Sequence, residues 1–188
     1  MAWLNGLLAA FGLSASAGLN AYIPLLVVAL VARYTPWLTL NPPWDALTDG
    51  WVIAVLVLLT GIEFFADKIP AVNHLNDLIQ SAVRPIAGAI VFAASTNAVG
   101  GLHPALALVA GLIVAGSVHT AKAAVVRPAV TATTAGAANP VVSFVEDVAA
   151  VVVSLLSLLI PALLVAAVIL LVVAWLLRPR RPGSPRPA

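Results

Sequence analysis

From Val141 to Leu177 the chain is apolar at every position except Ser143, Glu146, Asp147, Ser154 and Ser157, with Pro161 in its middle. A run of this kind folds in only one setting. Roughly 20 apolar residues cross a hydrocarbon core as a helix, and lipid offers no partner to unpaired backbone, so segments that span it are helices or closed barrels. Four more runs share the character. Trp3–Val31 ends at Arg33 and is interrupted by Ser14, Ser16, Gly18, Asn20 and Pro24; Trp51–Ala66 carries Glu63 near its end. A short run extends from Ile86 to about Val99, and Pro104–Val126 contains His119 and Lys122.

Of 188 residues, 62% are hydrophobic and 9% charged, against about 25% charged in an average soluble domain. A soluble chain of this size cannot hide so much apolar surface. That excludes a soluble enzyme, a disordered chain and a nucleic-acid binder. The expected fold is all-α, a polytopic transmembrane helical bundle of about five spans in the cell membrane, with the lipid bilayer as its first partner. One transmembrane domain is expected over residues 1–177 and a disordered basic tail over 178–188, where Arg178, Arg180, Arg181 and Arg186 are concentrated. Cysteine is absent, which removes disulfides, thiolate catalysis and Cys-ligated metal.

The first and last runs each exceed ~40 Å as straight helix. Both are therefore expected to be broken, at Pro24 and Pro161, since proline removes a backbone donor and crowds the preceding turn. Ala71–Val83 is polar with apolar residues at helical spacing, an amphipathic helix at the interface or folded back into the bundle. Arg127–Pro140 is rich in Thr, Ala and Gly and lacks the charge of a solvated loop, so it is expected to line a cavity. The start of the chain has no Lys or Arg before its apolar stretch and is expected to be retained rather than cleaved. With five crossings, Arg33 and the tail share one side and Lys68, Arg84 and Arg127 the other. The tail then favours a cytoplasmic C-terminus and an N-terminus outside.

Ionised groups in a bilayer cost at least about 2.5–3.5 kcal/mol, so their positions are informative. Glu63 and Asp67 lie i,i+4 on one helical face, with Lys68 next to them. In lipid such a pair needs a cation, a shared proton or a nearby base; alternatively Asp67 and Lys68 have reached the headgroups and Glu63 makes one ion pair. Ser143-Phe-Val-Glu146 has the capping-box pattern, which would make Glu146 structural, while Asp147 faces elsewhere. Gly111, Ala115 and His119 form a small-residue ridge for close helix approach, with Lys122 beside it. Glu63 precedes Arg84 by 21 residues and Arg127 precedes Glu146 by 19, compatible with two roughly symmetric acid–base clusters. Gly12, Ser16 and Asn20 share a row at i+4 spacing. That row is either a helix-packing seam or, with Pro24 freeing a carbonyl one turn back, an unwound segment that coordinates an ion or solute.

Gly18-Leu-Asn-Ala-Tyr-Ile-Pro24, Glu63-Phe-Phe-Ala-Asp-Lys-Ile-Pro70, Asp77, Arg84-Pro85-x-x-Gly88, His119-x-x-Lys122, Asn139 and Ser143-x-x-Glu146-Asp147 give the chain a family likeness. It resembles the bacterial integral membrane proteins grouped as domain of unknown function 4126, over nearly the whole chain except the tail. The resemblance implies residence in the inner membrane and places these polar positions in the family pattern. It implies no reaction. Within the Lys-x-x-x-x-Arg spacing of Lys122 and Arg127, this chain departs by adding Pro128.

No zinc-hydrolase, Walker or Gly-x-Ser-x-Gly motif is present, and a headgroup enzyme using His74 and Asp77 would lack a nucleophile. The expected function is non-enzymatic: a small transporter or channel moving a cation or protons, or a solute coupled to them. Asn20, Glu63, Asp67, His119, Glu146 and Asp147 would bind, and Lys68, Arg84, Lys122 and Arg127 would balance charge. A homo-oligomer is expected, no cofactor is assigned, and a metal is left open. The rival is a non-transporting structural or lipid-interacting protein whose buried ion pairs lock its helices.

Overall fold

The computed structural model describes the backbone of residues 2–66, 70–97 and 102–176. Asp67, Lys68 and the basic tail lie outside the described residues, as do the side chains of His74 and Asp77. Among the described residues the structure is helical and contains no strand.

The first apolar run is two helices, α1 (Ala2–Leu19) and α2 (Tyr22–Tyr34). Asn20 makes the break. Its Oδ1 accepts the amides of Tyr22 (3.1 Å) and Ile23 (3.0 Å), satisfying two donors that a helix start otherwise leaves orphaned. Pro24 then falls in the first turn of α2, where a missing amide costs nothing. The break is thus set by an asparagine cap, with the proline just beyond it.

α2 turns back beside the rest of the bundle. The loop that follows it returns to the far end of α4 (Pro70–Asn97): Asn41 Nδ2 reaches the Asn97 carbonyl at 3.4 Å. Trp44 packs there on Ala10, Phe92, Ala93 and Ala107. α2 is ~20 Å long, too short to cross a ~30 Å core. The pair is a helical hairpin with its bend among the other helices.

A short 3₁₀ turn at Trp44–Thr48 leads into α3 (Gly50–Ala66). α4 joins the amphipathic stretch and the short third run into one helix that continues through Pro85. The short third run is therefore the second half of a longer helix. A proline removes one helical bond, while buried Gln80 and Arg84 before it and Ala87 and Gly88 after it hold both sides in the bundle. α5 (Pro104–Ala121) passes through a π turn, Lys122–Val126, into α6 (Arg127–Thr134). The Thr/Ala/Gly-rich segment 127–140 is thus helical for its first half. A left-handed pair, Ala135 (φ 50°) and Gly136 (φ 84°), reverses the chain. α7 (Asn139–Leu176) then continues through Pro161 without a break. This corrects the expectation for the last run: in transmembrane helices neighbouring groups tolerate the single bond a proline removes.

Among the described residues, three stretches are long and apolar enough to cross a membrane: Leu78–Asn97, Pro104–Thr134 and Asn139–Ile160. Trp3–Leu19, Tyr22–Tyr34 and Gly50–Ala66 are shorter apolar helices. Successive legs α1, α2, α3, α4, α5–α6 and α7 alternate in direction, so α1 begins at the end where α7 finishes.

α1 is the central helix. Its Gly12, Ser16 and Asn20 row forms an antiparallel seam with α7: Ser16 Oγ donates to the Ala150 carbonyl and lies 2.8 Å from Ser154 Oγ. On another face, Ser14 Oγ meets the carbonyls of Gly111 (2.8 Å) and Gly88 (3.2 Å). Here α1, α4 and α5 converge so tightly that a Cβ on Gly111 would sit 2.6 Å from Phe92 Cβ and 2.8 Å from Ala89 Cα. Gly111→Ala is therefore expected to lower stability in detergent by about 1–3 kcal/mol, the cost of overpacking. Gly61→Ala, where a Cβ meets nothing within 4 Å, serves as the control and should hold or slightly raise the melting temperature, since alanine is the better helix former.

Candidate functional site

The polar side chains of the bundle gather beside the α1–α2 break. α3 ends its apolar run with Glu63, which is 1% exposed, and α4 brings Arg84, 0% exposed, to meet it. Their ion pair closes at 3.0 Å. Arg84 also donates to His119 Nδ1 at 3.2 Å; since a guanidinium only donates, the neutral ring carries its own proton on Nε2. The Gly111–Ala115–His119 ridge is buried along α5, and it delivers the imidazole to this point.

A second group lies one turn further on. Lys122 Nζ is 2.8 Å from Glu146 Oε2 and 3.2 Å from the carbonyl of Leu19. Leu19 is the last residue of α1, so the lysine meets the negative end of that helix's dipole. Arg127 Nη2 donates to Ser143 Oγ at 3.0 Å and to Glu146 at 3.4 Å. α7 starts four residues before Ser143, at Asn139, so Ser143 and Glu146 are not a capping box. They are arginine and lysine ligands inside the helix.

Asn20 links the break to α7: its amide donates to Asp147 Oδ1 at 3.0 Å. One side chain thereby caps α2 with its oxygen and holds a carboxylate with its nitrogen. Tyr22, at the start of α2, has a side-chain hydrogen bond with Gln80 of α4 and lies in the field of Glu63.

Both spaced pairs of the sequence, Glu63 with Arg84 and Arg127 with Glu146, are therefore ion pairs. Arg84, Lys122, Arg127, Glu146 and Asp147 all lie within the candidate spans. Among the described residues, the buried bases Arg84, Lys122 and Arg127 and the buried acids Glu63, Glu146 and Asp147 are matched in number, and pairing of this kind keeps charge in a low-dielectric interior. Asp67 and Lys68 fall outside the described residues, and with them the expected pairing of Asp67 with Glu63. Among the described residues, no group of three or more His, Cys, Asp or Glu is placed to hold a metal ion. His103 caps α5 by accepting the amide of Ala105.

Two participants were not visible in advance: the Leu19 carbonyl, 103 residues from Lys122, and the Ser143 hydroxyl as an arginine ligand. The sequence carries no signal for the first. Arg127 with Ser143 at the spacing of one helical hairpin was a signal for the second.

Lys122 stands between two cavities. One, about 280 Å³, opens between α4 and the α5–α6 segment beside Arg84, His119, Lys122 and Arg127. The other, about 470 Å³, lies between α5 and α7 and is walled by Leu19, Val118, Val142, Val145 and Glu146. A helix break, buried ion pairs and adjoining cavities are the parts from which membrane carriers assemble solute sites.

The family model described as domain of unknown function (DUF4126) matches residues 7–180, nearly the whole chain. No curated protein and no solved structure matches.

Proposed function

The chain belongs to the domain of unknown function 4126 family, and since that membership assigns no reaction, we propose from its geometry that it is a small membrane transporter or channel. Its buried acid–base network would carry protons or a cation, or a solute coupled to them. The observation that supports this most is the convergence on the α1–α2 break. Asn20 and the Leu19 carbonyl, groups that an unbroken helix would have kept to itself, are tied to Asp147 and Lys122. Breaking a helix in an apolar interior is costly, and here the break supplies ligands to charged groups.

Among the described residues each buried carboxylate has a base or an amide beside it, an arrangement that suits a proton as the moving charge, because a proton needs one acceptor at a time. Cavities of a few hundred Å³ within one chain also support a homo-oligomeric assembly.

The test is flux in liposomes. Purified protein is reconstituted around a trapped pH-sensitive dye, and an imposed pH gradient is followed in time. The wild type should dissipate the gradient faster than protein-free vesicles. Asp147→Asn keeps the side-chain shape and removes the acid, and should slow flux at least about tenfold, the effect of ~1.4 kcal/mol on a barrier. Equal rates in wild type, variant and empty vesicles would instead favour a protein whose ion pairs only lock its helices.

A further inference from the structure

α5 and α7 both pack on α1, which ends at Leu19; from there the chain turns away as α2 to pack on α3 and α7. The cavity of about 470 Å³ between α5 and α7 lies at that end of α1, with Leu19 in its wall. The helix break leaves the space open. Its lining is aliphatic, with Leu19, Val118, Val142 and Val145 prominent, except for two side chains, Lys122 and Glu146. Both belong to candidate spans, so the gap between these helices faces hydrocarbon, and what enters it must dissolve in the bilayer.

The polar floor of the cavity has bonding capacity left over. Lys122 is 4% exposed and Glu146 9%. Two bases reach the same oxygen of the acid: Lys122 Nζ lies 2.8 Å and Arg127 Nη2 3.4 Å from Oε2. The other oxygen, Oε1, accepts no hydrogen bond among the described residues. Lys122 has three hydrogens to donate and directs two, at Oε2 and at the Leu19 carbonyl 3.2 Å away. One acceptor and one donor thus stand side by side in an apolar cavity. A polar group away from water without a partner is costly, so a ligand that meets both gains on two counts.

We propose that this cavity binds a bilayer-soluble aliphatic alcohol, its chain against the valines and its hydroxyl between Glu146 Oε1 and Lys122 Nζ. A hydroxyl donates one hydrogen and accepts on its lone pairs, which matches the two unmet groups at once. An anionic head would only accept and would bring a like charge to Glu146. An ammonium head would only donate and would bring one to Lys122. A neutral head leaves the pairing of the buried charges as it is. The volume falls in the ~300–1,000 Å³ range of small-molecule sites, whose pattern is an apolar wall with a few polar groups that fix orientation. The inference goes beyond the transport reading and does not need it, since binding is read without flux.

The probe is dodecanol carrying a diazirine on its chain. Full-length protein in phosphatidylcholine nanodiscs is irradiated with the probe, and labelled peptides are mapped by mass spectrometry. Label is expected on residues 118–126 and 141–145, saturable and displaced by unlabelled dodecanol. Dodecane, dodecanesulfonate and dodecylammonium at the same mole fraction should compete at least about tenfold less well, the effect of one hydrogen bond to a charged group.

Val145→Phe, at a position 58% exposed in the cavity wall, fills the space from α7 with every ion pair intact, and Ala121→Leu fills it from α5. Each should remove the competed label while melting near the wild type. Val109→Phe, similarly exposed on α5 but outside the cavity, should label like the wild type. Label that persists in either filled variant overturns the proposal. So does displacement by dodecane as strong as by dodecanol, because the cavity then holds only hydrocarbon tails, and so does preferential displacement by either charged competitor. Selective label without proton flux would remove the transport reading and leave this one standing; flux without selective label would do the reverse.

Discussion

Arg84→Met is expected to leave little folded protein in detergent, while Arg84→Met combined with Glu63→Leu should recover most of the wild-type yield and melting temperature. The asymmetry follows from where the pair sits. Both side chains are buried and meet at 3.0 Å. Removing one partner strands a charge in a medium that cannot solvate it, which costs about 3–5 kcal/mol, whereas replacing both with apolar groups of similar volume is often neutral or stabilising. Against a total stability of roughly 5–15 kcal/mol, the single change is severe.

The doubly substituted protein then separates two roles. If the pair only locks α3 to α4, its apolar replacement should leave flux in liposomes as it was. If the network moves protons, the rescued protein should be monodisperse and inactive. A single variant as stable as wild type would show that Glu63 is solvated, and would remove the basis of the site. Size-exclusion profiles and thermal denaturation give the first answer; the liposome assay gives the second.

How far the sequence could be followed depends on whether each signal was local. Apolar runs are local, and they indicated helices in lipid. The i+4 row Gly12–Ser16–Asn20 is local too, and it is the α1–α7 seam. The spacing of Glu63 from Arg84 and of Arg127 from Glu146 was legible because each pair sits on neighbouring legs of a hairpin, where a separation near twenty residues returns the chain to the same depth.

What could not be read was direction. Nothing in residues 20–34 says that α2 doubles back, because that is decided by Trp44 docking on Phe92 and Ala107, contacts far away in the chain. The same holds for Pro85, which looks like a break but is carried through by buried Gln80 and Arg84 before it and Ala87 and Gly88 after it; the helix likewise continues through Pro161. The Ser143-x-x-Glu146 pattern misled for a related reason. A capping box is defined by its place at a helix start, and the start lies at Asn139. The π turn at Lys122–Val126 was not legible either, because composition does not reveal it.

Asn20→Ala is the second substitution expected to have a large effect, and its consequences can be divided. The asparagine oxygen accepts the amides of Tyr22 and Ile23, and its nitrogen donates to Asp147. Alanine removes all three bonds at a position 1% exposed. Orphaning the buried Ile23 amide alone costs roughly 1–3 kcal/mol, and the half-buried Tyr22 amide adds to it. The hairpin should loosen, and proteolysis near residue 20 should become detectable.

Asn20→Ser keeps a capping oxygen and loses the reach to Asp147, so it should recover much of the stability but not the flux. Asp147→Asn leaves the cap untouched and should melt near the wild type while transport falls. Stability and flux would then be governed by opposite ends of one side chain. If Asn20→Ser restored both together, Asn20 would be a helix cap alone, and Asp147 would have to be reached by another route.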